Sequence, residues 1–465
     1  MSQGMKIKNY ERLIANGDIE ARKKVLGLMD QVLQELDVSN GIKKIMRLEG
    51  DKLSVGERTW DLSKKKNIYL VGAGKACNAM AGAVGEILGK RLTKGIISVK
   101  IAEPTDCYVN TEVYVGGHPL PNEEGMVAAN KMLELVQMAS EEDLFISVIS
   151  GGSSALLTYP VAGITLEDEI LAQELLLKSG AKIIEINAVR RHISRVNGGR
   201  LAQRILERGC ELIGLFVSDS VGAMPMTNAE RPREFYGTPA APDRTTIQDA
   251  RDTIVNYNLA NKLPKSIVDY IMDDTKIQET PKEFNDKITM YVLNGVADSC
   301  EIAIQVAAKM KVPIWVLSTF MEGESREAGV VISSIVREVK KRKRPIAPPC
   351  FIVCSGETTT KLTSIPIGAG GPSHEMVLGF AIAIRGLEGV AGASIDTEGT
   401  DGTTVYAGGI VDGQTLKRLE ECGINVYDVL RTHSTGNALE AIGDNIFTGN
   451  TGTNVCDLNV FYVSG

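Results

Sequence analysis

Two kinds of hydrophobic pattern follow each other along the chain. Between Tyr10 and Leu48 apolar residues recur every three or four positions, a spacing that predicts helix. Beyond this segment they fall into short continuous runs, most of them separated by helix-like stretches: Ile68–Val71, Gly95–Val99, Val113–Val115, Leu144–Ile149 and Leu212–Val217. Continuous apolar strands that alternate with helices are typical of a parallel sheet covered on both faces. We therefore expect an α/β fold whose first part is a Rossmann-like, doubly wound, mainly parallel sheet.

A polar stretch between residues 272 and 286 interrupts this pattern, and a second α/β pattern follows it. Domains typically hold about 50 to 250 residues, so a chain of 465 residues also favours two domains. We predict an N-terminal domain over residues 1–275 and a smaller C-terminal α/β domain with a mixed sheet over residues 286–465. The strands expected in the second domain are Ile288–Leu293, Ile314–Leu317, Phe351–Cys354, Val390–Ile395 and Leu458–Val463.

Composition narrows the class of protein. Hydrophobic residues make up 43% of the chain and charged residues 23%, as in soluble globular proteins. A net charge of −7 argues against a dedicated nucleic-acid binder. No apolar run reaches the roughly 20 residues that a bilayer requires, and the eight cysteines show no CxxC pair or zinc spacing. We expect a cytoplasmic protein with reduced thiols that binds neither nucleic acid nor membrane.

Glycine-rich loops follow two of the predicted strands. Ligands of doubly wound sheets bind beyond the carboxyl ends of the strands, so these loops are candidate binding sites. The first, GAGKA at residues 72–76, lets a ligand approach the backbone and adds the charge of Lys75. It matches neither GxxxxGK[ST] nor a full GxGxxG, and alone it is equally consistent with a tight turn. The second, SGGSSA at residues 150–155, predicts a nest of backbone N–H groups for phosphate or carboxylate. The candidate ligand residues are Gly74, Ser150, Gly151, Gly152, Ser153 and Ser154.

Charged residues mark two further positions in the first half. Residues 187–200 hold four arginines and one histidine but no acid, which favours an anion site over a solvated helix face. The candidates there are Asn187, Arg190, Arg191 and His192. Asp219 follows a predicted strand, where a carboxylate is placed to hold Mg²⁺ or to accept the proton of a hydroxyl. Helix capping by Asp219 is the alternative.

Four polar, glycine-rich motifs follow in the second half. They read SGETT from residue 355, GAGGPSHE from residue 368, TEGTDG from residue 397 and TGNTGTN from residue 448. They add Ser373 and His374 as candidate substrate or phosphate ligands, and Glu357 and Asp401 as candidate Mg²⁺ ligands. None of the four histidines has HxxxH or HExxH spacing, so we expect no zinc site.

Together these motifs resemble the glycerate 2-kinase family. The motifs GAGKA, GGHPLPNEEG from residue 116, SGGSSALL and INAVRRHIS from residue 186 are similar to its N-terminal domain. GETT, TEGTDGTT and TGTNVCDL from residue 451 are similar to its C-terminal MOFRL domain, so the resemblance covers nearly the whole chain in order. It implies a kinase that uses ATP and Mg²⁺ to convert D-glycerate to 2-phosphoglycerate in a cleft between the domains.

Two other functions stay open. Some family members carry the label hydroxypyruvate reductase, but the chain lacks the full GxGxxG and following acid of a nicotinamide site. A non-catalytic sugar-acid binding protein is the second alternative. A homodimer and the domain that binds the nucleotide are also left open.

Four positions depart from the family pattern. Asn197 stands where the family usually has Lys, Ala223 where it has Asp, Pro372 where it has Arg and His433 where it has Asp. The lost Lys and Arg remove two cationic donors from an anion site. Because the other key residues are retained, we expect a changed acid substrate rather than an inactive protein.

The resemblance and the motifs together suggest a role for each retained residue. Lys75 is expected to act on the transferring phosphate, and Arg190 with residues 150–154 on anionic groups of substrate or nucleotide. Asp219 is expected to activate the attacking hydroxyl, and Asp219, Glu357 and Asp401 are the candidate Mg²⁺ ligands.

Overall fold

The computed structural model describes residues 4–102, 108–221, 238–362 and 368–465. Its helices are α1 (Tyr10–Leu13), α2 (Ile19–Leu36), α3 (Val38–Ile45), α4 (Cys77–Leu88), α5 (Glu123–Met138), α6 (Ser153–Leu156), α7 (Leu166–Lys178), α8 (Ile183–His192), α9 (Arg200–Glu207), α10 (Ile247–Asn256), α11 (Lys265–Met272), α12 (Val296–Lys309), α13 (Ser325–Arg342), α14 (Pro372–Ala383), α15 (Thr415–Glu421), α16 (Val426–Thr432) and α17 (Thr435–Ala441). No helix in these ranges is long and apolar enough to cross a membrane.

The strands form three sheets. They are β1 (Met46–Glu49), β2 (Lys52–Val55), β3 (Arg58–Asp61), β4 (Ile68–Ala73), β5 (Lys94–Val99), β6 (Thr111–Val115), β7 (Leu144–Ile149), β8 (Glu211–Val217), β9 (Ile288–Asn294), β10 (Ile314–Met321), β11 (Cys350–Gly356), β12 (Val390–Asp396), β13 (Gly408–Asp412), β14 (Asn445–Ile446) and β15 (Asp457–Val463). The helix predicted to reach Leu48 ends at Ile45, because β1 begins a small antiparallel sheet with β2 and β3.

The chain divides into two compact units that differ from the predicted domains. Unit 1 contains Met1–Asp37, Asp219–Met224 and Asn294–Gly465, and unit 2 contains Val38–Ser218 and Pro225–Leu293. The first helices of the predicted domain of residues 1–275 therefore belong to unit 1, together with the C-terminal sheet. Periodicity identifies the apolar face of a helix, but it carries no information about which distant sheet covers that face.

Unit 2 is built on a six-stranded sheet with the order β6-β5-β4-β7-β8-β9. The pairs β6/β5, β5/β4, β4/β7 and β7/β8 are parallel, and β4 and β7 are buried along their whole length. This confirms the predicted parallel α/β sheet. Strand β9 was predicted in the second domain, but it completes this sheet, and Leu212 donates its N–H to the carbonyl of Lys287 at 2.9 Å. The order of strands reverses between β4 and β7, which makes their carboxyl ends the switch point of the sheet.

Unit 1 is built on a mixed sheet with the order β10-β11-β15-β12-β13-β14, as predicted. Only β10 and β11 pair in parallel. The buried helix α14 packs on β12 and β13, and α2 packs on β12 and β15.

A buried ion cluster fixes α2 to this unit. Arg22 is 0% exposed and donates to both oxygens of Asp444, at 2.8 and 2.9 Å, and to Asp412. Burial opposes the charge, but the carboxylates of Asp444 and Asp412 raise the pKa of Arg22. Removing one partner of such a buried pair typically costs about 3 to 5 kcal/mol, because it leaves an uncompensated charge. The cluster therefore makes α2 an integral part of unit 1.

Candidate active site

Two loops interlock at the switch point of unit 2. Ala76 donates its N–H to Ser150 Oγ at 2.9 Å, and Lys75 donates its N–H to the carbonyl of Gly151 at 3.0 Å. Gly74 has a φ of +141°, and a Cβ there would lie 2.2 Å from Ser150 Oγ, so only glycine fits. The backbone donors of Lys75 and Ala76 are thus used within the protein. What this loop can offer a ligand is the side chain of Lys75.

The second loop keeps its donors. Within the described parts of the chain, no hydrogen bond engages the backbone N–H groups of residues 151–154. Gly152 adopts a φ of +82°, and a Cβ on it would lie 3.2 Å from Lys75 Cγ and 3.1 Å from His118 Cδ2. The structure therefore brings Lys75 next to the loop of Ser150, Gly151, Gly152, Ser153 and Ser154, and the role of this loop as an anion site stays a prediction. His118 was missed as a site residue, although its position in GGHPLPNEEG directly after β6 was a signal.

The guanidinium of Arg190 has buried N–H groups that no described residue accepts. Its Nη1 donates to Asn187 Oδ1 at 3.2 Å, one turn earlier on α8. Its Nε and Nη2 are buried without a hydrogen-bond partner among the described residues. Burial lowers the pKa of Arg190 to about 10, an effect that Glu169 opposes and Arg191 reinforces. Because unsatisfied buried donors are costly, this guanidinium is suited to an anionic ligand.

The other two candidates on α8 are occupied by the fold. Arg191 Nη1 donates to Asp243 Oδ1 at 2.9 Å. His192 is 0% exposed, with Nδ1 2.7 Å from the carbonyl of Ala188 and Nε2 2.8 Å from Glu279 Oε1. The fold thus uses both ring nitrogens of His192 and one nitrogen of Arg191, whose Nε has no partner among the described residues, and the ligand role of these two residues stays a prediction. The charge pattern of this helix is the same for a structural ion pair and for an anion site, so sequence alone did not separate them.

Asp401 in unit 1 is also occupied. One oxygen accepts the N–H of Ser373 at 3.1 Å, and the other accepts the N–H of His374 at 3.0 Å and contacts its Nδ1. Asp401 is 2% exposed and acts as an anionic cap of α14. The described residues contain no group of three or more His, Cys, Asp or Glu arranged to hold a metal ion. The predicted set of Asp219, Glu357 and Asp401 is therefore not assembled as a metal centre, and Asp401 does not fit that role.

A different carboxylate is better suited to a divalent cation. Burial raises the pKa of Asp457 well above its ordinary range, and the charges of Asp401 and Glu357 raise it further. The pKa of the adjacent Cys456 is raised by burial and then by the charge of Asp219, whose backbone carbonyl accepts from Cys456 Sγ at 2.8 Å. These carboxylates act on one another, and a cation would relieve that repulsion. Mg²⁺ prefers oxygen ligands and often uses only one or two carboxylates beside phosphates and water, so Asp457 could bind it together with Glu357 or Asp219 without a preformed set of three carboxylates.

Ser373 and His374 lie at the start of α14 and are both 0% exposed. Ser373 Oγ and His374 Nε2 have no hydrogen-bond partner among the described residues. These two atoms are polar groups that the described part of the fold leaves unused. The structure is thus compatible with their predicted role as ligand groups.

The departures from the family pattern have local partners. Pro372 occupies the first turn of α14, a position that favours proline. His433 Nδ1 lies 3.0 Å from Glu375 Oε1. Asn197 donates to the carbonyls of Ser154 and Leu157 at 3.3 and 2.9 Å, so it braces the anion loop. Ala223 lies outside the described residues.

Comparisons with known proteins find similar sequences and structures over most of the chain. Residues 24–272 match a family described as "Domain of unknown function (DUF4147)", and residues 350–457 match the MOFRL family. A glycerate 2-kinase of Pyrococcus horikoshii is 36% identical over 448 residues, covering 96% of this chain and 98% of that protein. A D-glycerate 2-kinase of Thermotoga maritima is 37% identical over 391 residues, covering 84% and 89%. The crystal structure of a glycerate kinase from Thermotoga maritima superposes with a TM-score of 0.76 at 33% identity, covering 96% of this chain and 100% of that one.

Proposed function

The chain belongs to the glycerate 2-kinase family, and we propose that it transfers the γ-phosphoryl group of ATP to a hydroxyl of D-glycerate or a related sugar acid. The observation that carries this proposal is the pair of loops at the switch point of unit 2. There the side chain of Lys75 lies against a loop whose backbone donors at residues 151–154 are unused by the described residues. Cationic and N–H donors at such a position suit a phosphoryl group.

Phosphoryl transfer asks the protein mainly for positioning and charge neutralisation. In the proposed reaction the substrate oxygen forms a bond to the γ-phosphorus while the bond from phosphorus to the β,γ-bridging oxygen breaks, releasing ADP. Lys75 and the loop donors stabilise the negative charge on the transferring group. Arg190 holds an anionic group of substrate or nucleotide. The proton of the attacking hydroxyl passes to the carboxylate of Asp219.

Mg²⁺, when bound, supplies positive charge to the phosphate oxygens. Of the residues described above, Asp457 would hold it together with Glu357 or Asp219. Asp401 keeps its place as the cap of α14.

We further propose that the preferred substrate is larger than D-glycerate. Asn197 uses its amide to brace the loop, so it does not replace the charge that the family pattern has at that position. A charge-assisted hydrogen bond is worth roughly 1.5 to 3 kcal/mol, and a three-carbon acid offers few other groups to offset its loss. A longer sugar acid presents additional hydroxyls, for which Ser373 Oγ and His374 Nε2 are candidate hydrogen-bond partners.

The test is a coupled ADP-release assay with Mg-ATP and a panel of three- to six-carbon hydroxy acids. We expect turnover that depends on both ATP and an acid, with the highest kcat/KM for a four- to six-carbon acid. D-glycerate as the best substrate would contradict the substrate proposal but not the kinase. The same protein with NADH or NADPH and hydroxypyruvate should give no change in nicotinamide absorbance. If it oxidised the cofactor and no acid released ADP, the kinase proposal would fall to the reductase alternative.

The remaining expectations concern location and assembly. The cysteines within the described residues are all unpaired, which suits a reducing compartment, and we propose a cytoplasmic enzyme. A homodimer without nucleic-acid or membrane partners is the assembly to test by light scattering.

A further inference from the structure

We propose that His118 is a further ligand-contacting residue of this site, and that with Lys75 it holds an oxyanion of the ligand over Gly152. This inference rests on the proposed function, because it names a residue of the same site. The oxyanion is either a phosphoryl oxygen of the nucleotide or the carboxylate of the acid substrate, and the experiment below distinguishes the two.

The imidazole of His118 lies close to Gly152 in the anion loop. A Cβ built on Gly152 would lie 3.1 Å from His118 Cδ2 and 3.4 Å from its Nε2, and 3.2 Å from Lys75 Cγ. The two side chains therefore stand against the same Cα atom. Gly152 also has a φ of +82°, which L side chains rarely adopt. The absence of a side chain at this position lets the imidazole and the lysine stem lie close to the backbone of the anion loop.

The fold fixes the segment around His118. Gly116 donates its N–H to the carbonyl of Val99 at 3.0 Å, at the end of β5. A Cβ on Gly116 would lie 2.3 Å from the carbonyl oxygen of Leu156, so the backbone is pressed against the end of α6. On the other side, the carbonyl of Pro119 accepts a hydrogen bond from Gln173 on α7. The imidazole is thus carried by a backbone held on both sides, as a ligand-binding group requires.

The groups around His118 are mainly hydrogen-bond donors. A neutral imidazole offers one N–H donor and a protonated one offers two. Near the ring are Lys75, whose Cγ lies against the same glycine, and the N–H groups of residues 151–154, which have no acceptor among the described residues. A lysine, an imidazole and a backbone with unused N–H groups around one glycine favour an oxyanion.

The experiment compares two variants of the full chain. His118→Leu removes the ring nitrogens, whereas His118→Gln keeps an N–H donor at nearly the same reach. The dissociation constants of a non-hydrolysable ATP analogue and of D-glycerate are measured separately by calorimetry, with melting temperatures in parallel. We expect His118→Leu to raise one of the two constants about tenfold, the loss of one hydrogen bond to a charged group. His118→Gln should stay within about threefold of the parent protein, since it still donates one such bond.

The outcomes separate the possibilities. A change confined to the ATP analogue assigns His118 to a phosphoryl group, and a change confined to D-glycerate assigns it to the carboxylate. Unchanged constants in His118→Leu overturn the proposal, as does an equal loss in His118→Gln. If His118→Leu does not fold, the NMR signal of the His118 ring in the parent protein decides, because a signal that neither ligand shifts also overturns it. These readouts need no turnover, so a protein that binds both ligands without releasing ADP contradicts the kinase and leaves the role of His118 standing.

Discussion

The loop after β7 and the start of α14 have similar sequences and opposite electrostatics. Both place a pair of glycines before a serine at the beginning of a helix, Gly151-Gly152-Ser153 in unit 2 and Gly370-Gly371-Pro372-Ser373 in unit 1. In unit 2 the backbone donors are unused by the described residues, and Lys75 lies beside them. In unit 1 the carboxylate of Asp401 already accepts the first N–H groups of the helix.

This difference shows what a glycine-rich motif does and does not decide. It opens the backbone to an anion, but the surrounding residues determine whether that anion comes from a ligand or from the protein itself. We therefore expect the loop of unit 2 to bind charged ligand groups, whereas the start of α14 has its N–H groups already paired with a carboxylate.

The largest expected effect tests the cationic side of the comparison. Lys75→Ala should lower kcat about a thousandfold, the typical cost of losing a donor to the charge that develops in a transition state. The melting temperature should change little, because the backbone bonds of Lys75 remain. Steady-state kinetics beside thermal melting checks both. Near-normal kcat would remove Lys75 from the mechanism and with it the claim that unit 2 handles the phosphoryl charge.

Asp219→Asn tests whether a carboxylate of unit 1 takes part in the reaction. If the carboxylate accepts the hydroxyl proton, kcat should fall about a hundredfold with a much smaller change in KM. Kinetics at saturating and limiting acid separates the two constants. A lower melting temperature with unchanged kcat would instead identify Asp219 as a structural residue.

Asp401→Asn tests the opposite character of the α14 start. The amide would replace charge-assisted bonds to Ser373, His374 and the helix N-terminus, so the free energy of unfolding should fall by about 1.5 to 3 kcal/mol. Affinity for Mg²⁺, measured by calorimetry, should fall only severalfold, because Asp401 acts on Asp457 through its charge and not as a metal ligand. The exposed Glu388→Gln in the same unit is a matched control that should alter neither. Lost Mg²⁺ affinity with retained stability would restore Asp401 as a metal ligand.

The smallest expected effect concerns two carboxyl groups whose pKa values move in opposite directions. Hydrogen bonds from Lys282 and His192 outweigh burial and lower the pKa of Glu279 to about 2. The ionised Glu279 therefore stabilises the fold at pH values above its pKa in the unfolded chain, and this stabilisation is lost as the pH falls toward 2. Burial and neighbouring charges raise the pKa of Asp457. The folded protein therefore binds the proton of Asp457 more tightly than the unfolded chain does, and the free energy of unfolding decreases as the pH rises above the pKa of this group in the unfolded chain.

Asp457→Asn should accordingly raise the melting temperature of the metal-free protein by a few °C at neutral pH. It should also abolish the further rise that Mg²⁺ gives the parent protein. Differential scanning calorimetry with and without Mg²⁺ at pH 5 and 7.5 measures this. An equal rise with Mg²⁺ in the variant would exclude Asp457 as a ligand.

Local sequence was sufficient for the features that local forces set. The apolar runs located most strands, and the glycine-rich patterns at residues 72–76 and 150–154 correctly predicted loops at the ends of β4 and β7. Three features depend on contacts between distant residues, and no local pattern encodes them. These are the pairing of β9 with unit 2, the packing of α2 in unit 1, and the hydrogen bonds that occupy His192 and Asp401. His118 was missed for the same reason, since its neighbour Gly152 is a glycine from another strand end.

The buried cluster of Arg22 has a consequence for how the chain is made. Arg22 and Asp444 are 422 residues apart in sequence. At about 5 to 20 residues per second, a ribosome adds the second partner roughly 20 to 85 seconds after the first. During that interval α2 is exposed with an apolar face and an unpaired guanidinium, while nearly all of unit 2 emerges. Unit 2 can therefore fold during synthesis, whereas unit 1 is completed only as its last strand is released. A truncation that removes α2 should for this reason impair the sheet of unit 1, and a circular permutant that places β15 shortly before α2 should shorten this interval.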